Sequence, residues 1–307
     1  MQHYWSLDGI YLDCAWITIG SFDGVHLGHQ AIVRELVAGA KRENAQTALL
    51  TFHPHPAVVL NKRKAAYYLT SPEERARLVG DLGVDVVITH PFNSEVAALS
   101  ARQFVQHLKE HLAFTHLVVG NNFGLGRNRE GDIPTLQKLG GEFGFTLDAI
   151  TPIFNGEEIV SSSRIRAMLV EGDVQSAARL LGRPFSMSGD VVHGDARGKT
   201  IGIPTANLDS WSERAFPKSG VYACRALVDG IYWDAVTNVG VRPTFESNQA
   251  FPHVEAHLLD FAGDLYGRFV ELDFIQYLRE EQKFPSIQAL INQIHQDISH
   301  ARLILSV

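Results

Sequence analysis

The sequence predicts an α/β chain in which a doubly wound parallel-sheet domain is followed by a small antiparallel β-barrel and a C-terminal helix. Three observations carry this. Short apolar, β-branched runs alternate with helix-period stretches through the first half. Near Arg183-Pro184 the period changes, and strand-length alternating runs then follow one another without helices between them. The last residues place Ile287, Leu290, Ile291, Ile294, Ile298 and Ala301 at helical spacing, one amphipathic helix laid on the barrel. At 307 residues the chain has room for two domains, at roughly 100–200 residues each. The expected division is 1–183 and 184–307.

In order, residues 15–19 are apolar and predict a buried strand, and residues 27–43 carry Ile32, Val33, Leu36, Val37 and Ala40 at helical spacing. Residues 47–52 are the next strand. Ser71-Pro72-Glu73-Glu74 has capping-box spacing with proline at the first helical position, so a helix to about Leu82 leads into a strand over 84–88. Ser100 and Gln103 repeat the device, a helix to about Leu112 feeds a strand over 117–119, and a helix over 136–143 precedes a strand over 146–150. Five strands with helical crossovers make a parallel sheet that places ligands at the strands' carboxyl ends. Beyond residue 184 the strands are 189–192, 221–228, 231–239, 254–259 and 269–277, with Asp229-Gly230 as a type I′ hairpin signal. Five or six such strands close into a small barrel.

Composition excludes several classes. Lys+Arg 27 against Asp+Glu 34 gives a net charge of −7, so no overall positive field exists to hold nucleic acid. Cys14 and Cys224 lie in different halves and form no ligand-spaced cluster, against both a disulfide framework and a structural zinc site. No apolar run approaches the roughly 18–20 residues that span a bilayer. A cytoplasmic protein with neither nucleic acid nor membrane as partner is expected.

The sharpest local signal is Gly20-Ser21-Phe22-Asp23-Gly24-Val25-His26-Leu27-Gly28-His29, where the first strand becomes the first helix. A helix start offers unpaired N–H groups and the positive end of the macrodipole, the glycines permit close backbone approach, and two imidazoles three residues apart share a helix face. A phosphate fits there. The competing readings are histidines that only cap and pack, and a metal site, for which no third ligand is visible. Farther on, Gly189-Asp190-Val191-Val192-His193-Gly194-Asp195-Ala196-Arg197-Gly198-Lys199-Thr200-Ile201-Gly202 looks like a phosphate loop. It is not a Walker A motif, which requires glycine where His193 stands, and Pro204 denies the helix such a loop must open. Glycine-rich barrel corners are the plain alternative. In Pro204-Thr205-Ala206-Asn207 a hydroxyl and a carboxamide two apart suit a hard cation such as Mg²⁺.

The stretch from Gly20 to His29 resembles the signature of nucleotidyltransferases that attack the α-phosphate of ATP and release pyrophosphate. With Thr51-Phe52-His53-Pro54-His55-Pro56, Val118-Val119-Gly120-Asn121-Asn122-Phe123 and Ser161-Ser162-Ser163-Arg164-Ile165-Arg166, in this order, the first half is similar to bacterial FAD synthetases. The second half is similar to riboflavin kinase through Gly198 to Asn207, Thr237 to Phe245, Val254 to Phe261, Asp264 to Gly267 and Leu278 to Ser286. Both together resemble the prokaryotic bifunctional riboflavin kinase/FAD synthetase family, a Rossmann-like nucleotidyltransferase domain followed by a riboflavin kinase barrel.

The resemblance implies two reactions. In the second domain riboflavin and ATP give FMN and ADP: Glu255 accepts the ribityl 5′-hydroxyl proton, Thr205 and Asn207 ligate Mg²⁺, Gly189, Gly194, Gly198 and Gly202 wrap the ATP, and Tyr266 and Phe284 touch the flavin. On pattern alone Glu255 is either a base facing a cleft or a solvent-facing strand residue. In the first domain FMN and ATP give FAD and pyrophosphate. His26 and His29 bind the reacting phosphates and Arg166, with Ser162 and Ser163, holds the pyrophosphate; Gly20, Phe22, Asp23, Gly24, Gly28 and Asn122 contact ATP, while Pro54, His55 and Pro56 lie on the flavin side. Apo-flavoproteins are possible clients for the products. Asn122-Phe123-Gly124-Leu125-Gly126 stands where many relatives carry aspartate, phenylalanine, arginine, phenylalanine and glycine. That departure leaves open a kinase with a slow or altered nucleotidyltransferase domain; a third reading, a flavin-binding carrier or sensor without turnover, requires that Glu255, Asn207, His26 and His29 be dispensable for chemistry.

Overall fold

The computed structural model describes residues 1–60, 67–156, 158–194, 201–243 and 250–306. They form two compact units, Met1–Ser162 and Ser163–Val307. In the first, β1 (Gln2–Tyr4), β2 (Ala15–Ile19), β3 (Gln46–His53), β4 (Val86–Pro91), β5 (His116–Gly120) and β6 (Thr146–Ile150) make one parallel sheet in the order β1-β4-β3-β2-β5-β6. Its helices are α1 (Leu27–Glu43), α2 (Pro56–Val59), α3 (Pro72–Asp81), α4 (Ser94–Ala98), α5 (Ala101–Leu112) and α6 (Ile133–Phe143). Strand order reverses between β2 and β5, so their carboxyl ends open the crevice in which doubly wound sheets bind ligands.

Both sheet faces are covered, because alternate residues of each strand bury on opposite sides. Ile17, Leu50, Ile88 and Leu117 pack with Phe104 and Leu108 of α5. Trp16, Leu49, Val87 and Val118 pack with Val33 and Leu36 of α1 and Val79 of α3. The Ser71–Glu74 and Ser100–Gln103 capping boxes both form. The sheet has six strands where the sequence predicts five. The extra one, β1, is Gln2-His3-Tyr4 at the edge, held by parallel pairing to β4; three residues are too few to show a hydrophobic period.

A small ribbon of β7 (Phe154–Asn155) and β8 (Glu158–Ile159) leads to α7 (Ser162–Glu171), at whose first turn the two units divide, and α8 (Val174–Leu181) follows. Then β9 (Phe185–Val192), β10 (Ala206–Ser210), β11 (Gly220–Val228), β12 (Ile231–Pro243), β13 (Ala250–Leu258) and β14 (Phe269–Arg279) close an antiparallel barrel in the order β10-β13-β12-β11-β14-β9. Asp229 and Gly230 both have positive φ, 49° and 81°, as a type I′ hairpin requires. The strand not named from sequence is β10. Its alternation of buried Ala206 and Leu208 with outward Asn207 and Asp209 is short and lies next to glycine-rich chain.

The last helix, α9 (Ile287–Leu305), packs on β11, β12 and β14. Ala301 and Leu305 join Val221, Ala223 and Val236 in one cluster, and Asp297 pairs with Arg279 of β14 through two Arg279 nitrogens at 2.6–3.0 Å. Only its C-terminal part is deeply buried. Ile287, first member of the predicted stripe, is 67% exposed.

Candidate active site

The loop after β2 is strained. Phe22 and Val25 adopt left-handed φ of 46° and 41°, which β-branched and bulky residues avoid, at a cost on the order of 1–3 kcal/mol each. Asp23 anchors it. Its carboxylate Oδ1 accepts from the backbone N–H of Leu69 at 2.9 Å and of Thr70 at 3.2 Å and lies 3.7 Å from the Arg75 guanidinium, with both charged side chains 1% exposed. Gly24 N–H donates to the Thr70 hydroxyl at 3.1 Å, Arg75 donates to Thr51 Oγ1 at 3.0 Å, and that hydroxyl donates to Ser21 O at 3.0 Å. Asp23, expected beside ATP, thus has its carboxylate turned inward. Arg75→Met should remove the guanidinium that faces this buried carboxylate. A loss of about 3–5 kcal/mol should appear as a lower urea midpoint for the first unit, with the barrel's transition unchanged.

This framework aims the histidines. His26 caps α1: its Nδ1 accepts from His29 N–H at 3.3 Å, and the two rings stack with centroids 3.7 Å apart. A Cβ on Gly28 would come within 3.2 Å of the His26 ring, and one on Gly20 within 3.0 Å of the Phe22 ring, so both glycines serve the packing of the loop. Burial, then the neighbouring His26 and Arg75, holds the His29 pKa well below its usual 6.5. His29 is therefore neutral at pH 7. Its buried Nδ1 makes no hydrogen bond among the described residues, which leaves a polar atom at a helix N-terminus for a ligand to satisfy.

Around this loop, the Ser162 hydroxyl donates to Asp23 O at 2.9 Å. Arg166 lies one turn farther along α7, on the face of Ser162, and Ser163 is exposed beside it. After β3, Pro54 is exposed, while His55 caps α2 through Nδ1 to Ala57 N–H at 3.0 Å with Pro56 at the first helical position. The His55 N–H donates to the Tyr68 hydroxyl at 2.7 Å, and His53, His55, Tyr67 and Tyr68 make one aromatic cluster. After β5, the exposed Asn122 offers its backbone oxygen to the Arg129 guanidinium at 2.6 Å, and Arg129 Cβ covers Gly124, 3.2 Å from where a Cβ would stand. The loop that lacks an arginine at position 124 is thus crossed by one from position 129.

On the barrel a second constellation is set by register. In β13 the even-numbered Val254, Ala256 and Leu258 fill the core, so Glu255, His253 and His257 share the outer face. Glu255 stands directly between Asn207 of β10 and Asn238 of β12. Thr205 and Asn207, two apart, are both half-buried. A Cβ on Gly194 would fall 2.2 Å from Asn207 Nδ2, so only glycine lets the chain pass over that carboxamide. Gly189 instead sits within β9, its missing side chain demanded by Asp209 O at 2.3 Å, and Gly202 has φ 77° with open space around it. Gly198 lies outside the described residues. Tyr266, 45% exposed, lies against His193 with ring centroids 3.9 Å apart and planes tilted by 32°. Phe284 lies 5.8 Å under the Arg279 guanidinium that Asp297 holds. Among the described residues no three His, Cys, Asp or Glu gather as a metal cluster.

Comparison with known proteins decides the family. An FAD synthetase family model matches residues 11–164 and a riboflavin kinase model matches residues 181–305. A bifunctional riboflavin kinase/FMN adenylyltransferase from Pseudomonas fluorescens is 41% identical over 286 residues, 93% of this chain and 91% of that one. The chain belongs to the bifunctional riboflavin kinase/FMN adenylyltransferase family. Relatives of the same name from Listeria monocytogenes and Escherichia coli K12 are 38% and 39% identical over 288 residues, each covering 93% of this chain and 91% of the relative. A solved structure from Streptococcus pneumoniae, described as a macrolide-efflux protein, is 28% identical with a TM-score of 0.89 over 98% of both chains. No helix among the described residues is long and apolar enough to cross a membrane.

Several residues of these sites of the family member are not legible in its sequence. Arg75 and Thr70 support the histidine loop from a separate helix start, Tyr67 and Tyr68 reach the His-Pro turn from beyond it, and Asn238, His253 and Glu281 surround Glu255. For Asn238 a signal existed in the Thr237-Asn238 pair of a strand otherwise apolar around it. For the others the neighbour is remote in sequence, and no local pattern marks it.

Proposed function

We propose that this chain converts riboflavin to FMN in its C-terminal domain, residues 184–307, and FMN to FAD in its N-terminal domain, residues 1–183, with ATP as co-substrate in both. The observation that carries the kinase reading is the row Asn207–Glu255–Asn238, one carboxylate flanked by two carboxamides on the barrel's outer face. Glu255 takes the proton of the ribityl 5′-hydroxyl as that oxygen attacks the γ-phosphate. Thr205 and Asn207 fit Mg²⁺ as hard oxygen donors two residues apart, with Gly194 passing directly over the Asn207 carboxamide. When bound there, the ion neutralises phosphate charge. Gly194 over Asn207 and the tilted His193–Tyr266 ring pair border the nucleotide and flavin positions.

In the adenylyl transfer the nucleophile is the FMN phosphate, already an oxyanion, so no general base is needed. The work is to hold two anions in line and to stabilise charge on the α-phosphate and the departing pyrophosphate. His26 and the neutral His29 supply oriented imidazoles at the start of α1, and Ser162, Ser163 and Arg166 receive the pyrophosphate. Asn122 borders the same crevice at the end of β5. Arg129, whose guanidinium donates to Asn122 O, puts a cation on the loop that lacks an arginine at position 124. The two free thiols, one of them buried, suit a cytoplasmic setting in which apo-flavoproteins receive the products.

Incubation of the purified chain with riboflavin, ATP and Mg²⁺, with flavins separated over time, tests this. FMN should rise first and FAD follow at its expense. FMN without FAD, even when FMN is supplied directly, would refute the N-terminal assignment, and no phosphorylated flavin at all would leave the carrier reading.

A further inference from the structure

We propose that His253 is the positioning residue of the kinase base, an inference that rests on the reading of Glu255 as that base. The two side chains lie two residues apart on the outer face of β13, each 24% exposed, with His253 Nε2 3.3 Å from Glu255 Oε1. Room for the ring comes from across the sheet. His253 faces Gly240 of β12, where a Cβ would stand 2.9 Å from His253 Cε1 and 2.6 Å from Glu281 Oε1. Glu281 is itself held by Asn238 Nδ2 at 3.0 Å. The imidazole is therefore slotted between Gly240, Glu281 and Glu255.

Its other nitrogen, Nδ1, is buried and makes no hydrogen bond among the described residues. Nε2, which faces the carboxylate at 3.3 Å, is the ring nitrogen placed to act on Glu255. A carboxylate on the outer face of a strand has several rotamers open to it. An imidazole against one oxygen limits those rotamers. In the step, the 5′-hydroxyl oxygen bonds to the γ-phosphorus, its proton passes to Glu255, and the bond from the γ-phosphorus to the β–γ bridging oxygen breaks, releasing ADP. Asn207 and Asn238 flank the carboxylate from the neighbouring strands, and His257, farther along β13, is engaged elsewhere, its Nδ1 2.7 Å from Pro204 O.

The test uses the full chain and follows kcat and KM for FMN formation, with FAD formation from supplied FMN as a check on folding. His253→Ala and the ring-shaped non-donor His253→Phe should lower kcat on the order of tenfold, below the factor a general base itself contributes, with KM for riboflavin and ATP within about twofold. His253→Gln, whose side-chain N–H can still reach Glu255, should recover most of the rate. In a Glu255→Ala background, His253→Ala should cost nothing further. Wild-type kcat in His253→Phe, or a glutamine variant as slow as phenylalanine, overturns the positioning role while leaving the base in place. Wild-type kcat in Glu255→Ala overturns the base and this inference with it.

Discussion

Alanine at Glu255 should slow FMN formation by about 10²–10⁴-fold, the usual contribution of a positioned general base, while FAD formation from supplied FMN continues at the wild-type rate. The expectation follows from where the residue stands. On a barrel strand, a carboxylate between two core positions is ordinarily a solvated surface group, but this one is half-buried, flanked in register by Asn207 and Asn238 and approached by His253. Such a site limits the directions in which the carboxylate can point, which is what accepting a hydroxyl proton requires. Glu255→Gln keeps the size and the hydrogen bonds and removes the proton acceptor, so it should be as slow as alanine, with KM for both substrates little changed. A glutamine variant at wild-type kcat would make Glu255 a binding residue and place the base elsewhere.

His29→Ala should abolish FAD formation on the timescale of wild-type turnover and leave FMN formation near normal. Removing one oriented donor from a site of developing charge costs about 10²–10³ in kcat, and here the change also unstacks His26, whose ring lies 3.7 Å from that of His29. Equal loss of both activities would indicate a shared site or a misfolded chain. The pH response has a definite sign. Because burial, His26 and Arg75 hold the His29 pKa well below 6.5, the folded chain keeps this imidazole neutral where the unfolded chain has begun to protonate. The unfolded state thus binds more protons, and stability falls as pH drops from 6.5 toward the lowered folded value. His29→Gln should remove that loss, so its urea midpoint should decline less between pH 7 and 5 than the wild type's.

The elements legible in the sequence were those with a period or a cap: α1 over residues 27–43, both capping boxes, the hairpin at Asp229-Gly230 and the strands of β-branched residues. The edge strand β1 and the half-polar β10 were not, since a strand of only three residues, or one whose outward positions carry Asn and Asp, is defined by its partners and not by its own pattern. The candidate residues divide the same way. His26, His29, Glu255 and Asn207 announce themselves by type and motif, whereas Arg75, Arg129 and His253 matter through a neighbour that the linear chain does not indicate.

By itself, then, the sequence determined which chemistry is present: a histidine pair at a helix start, a serine run before a basic helix, and a lone carboxylate in an apolar strand. Only the tertiary structure decided how each group is used. It turned Asp23 inward, set Glu255 between two carboxamides, and made His29 neutral. The reason is physical. Local propensity and hydrophobic period act over a few residues and fix element type, but charge state and side-chain orientation depend on burial and on the nearest polar atom, and in a folded chain that atom belongs to a segment tens of residues away.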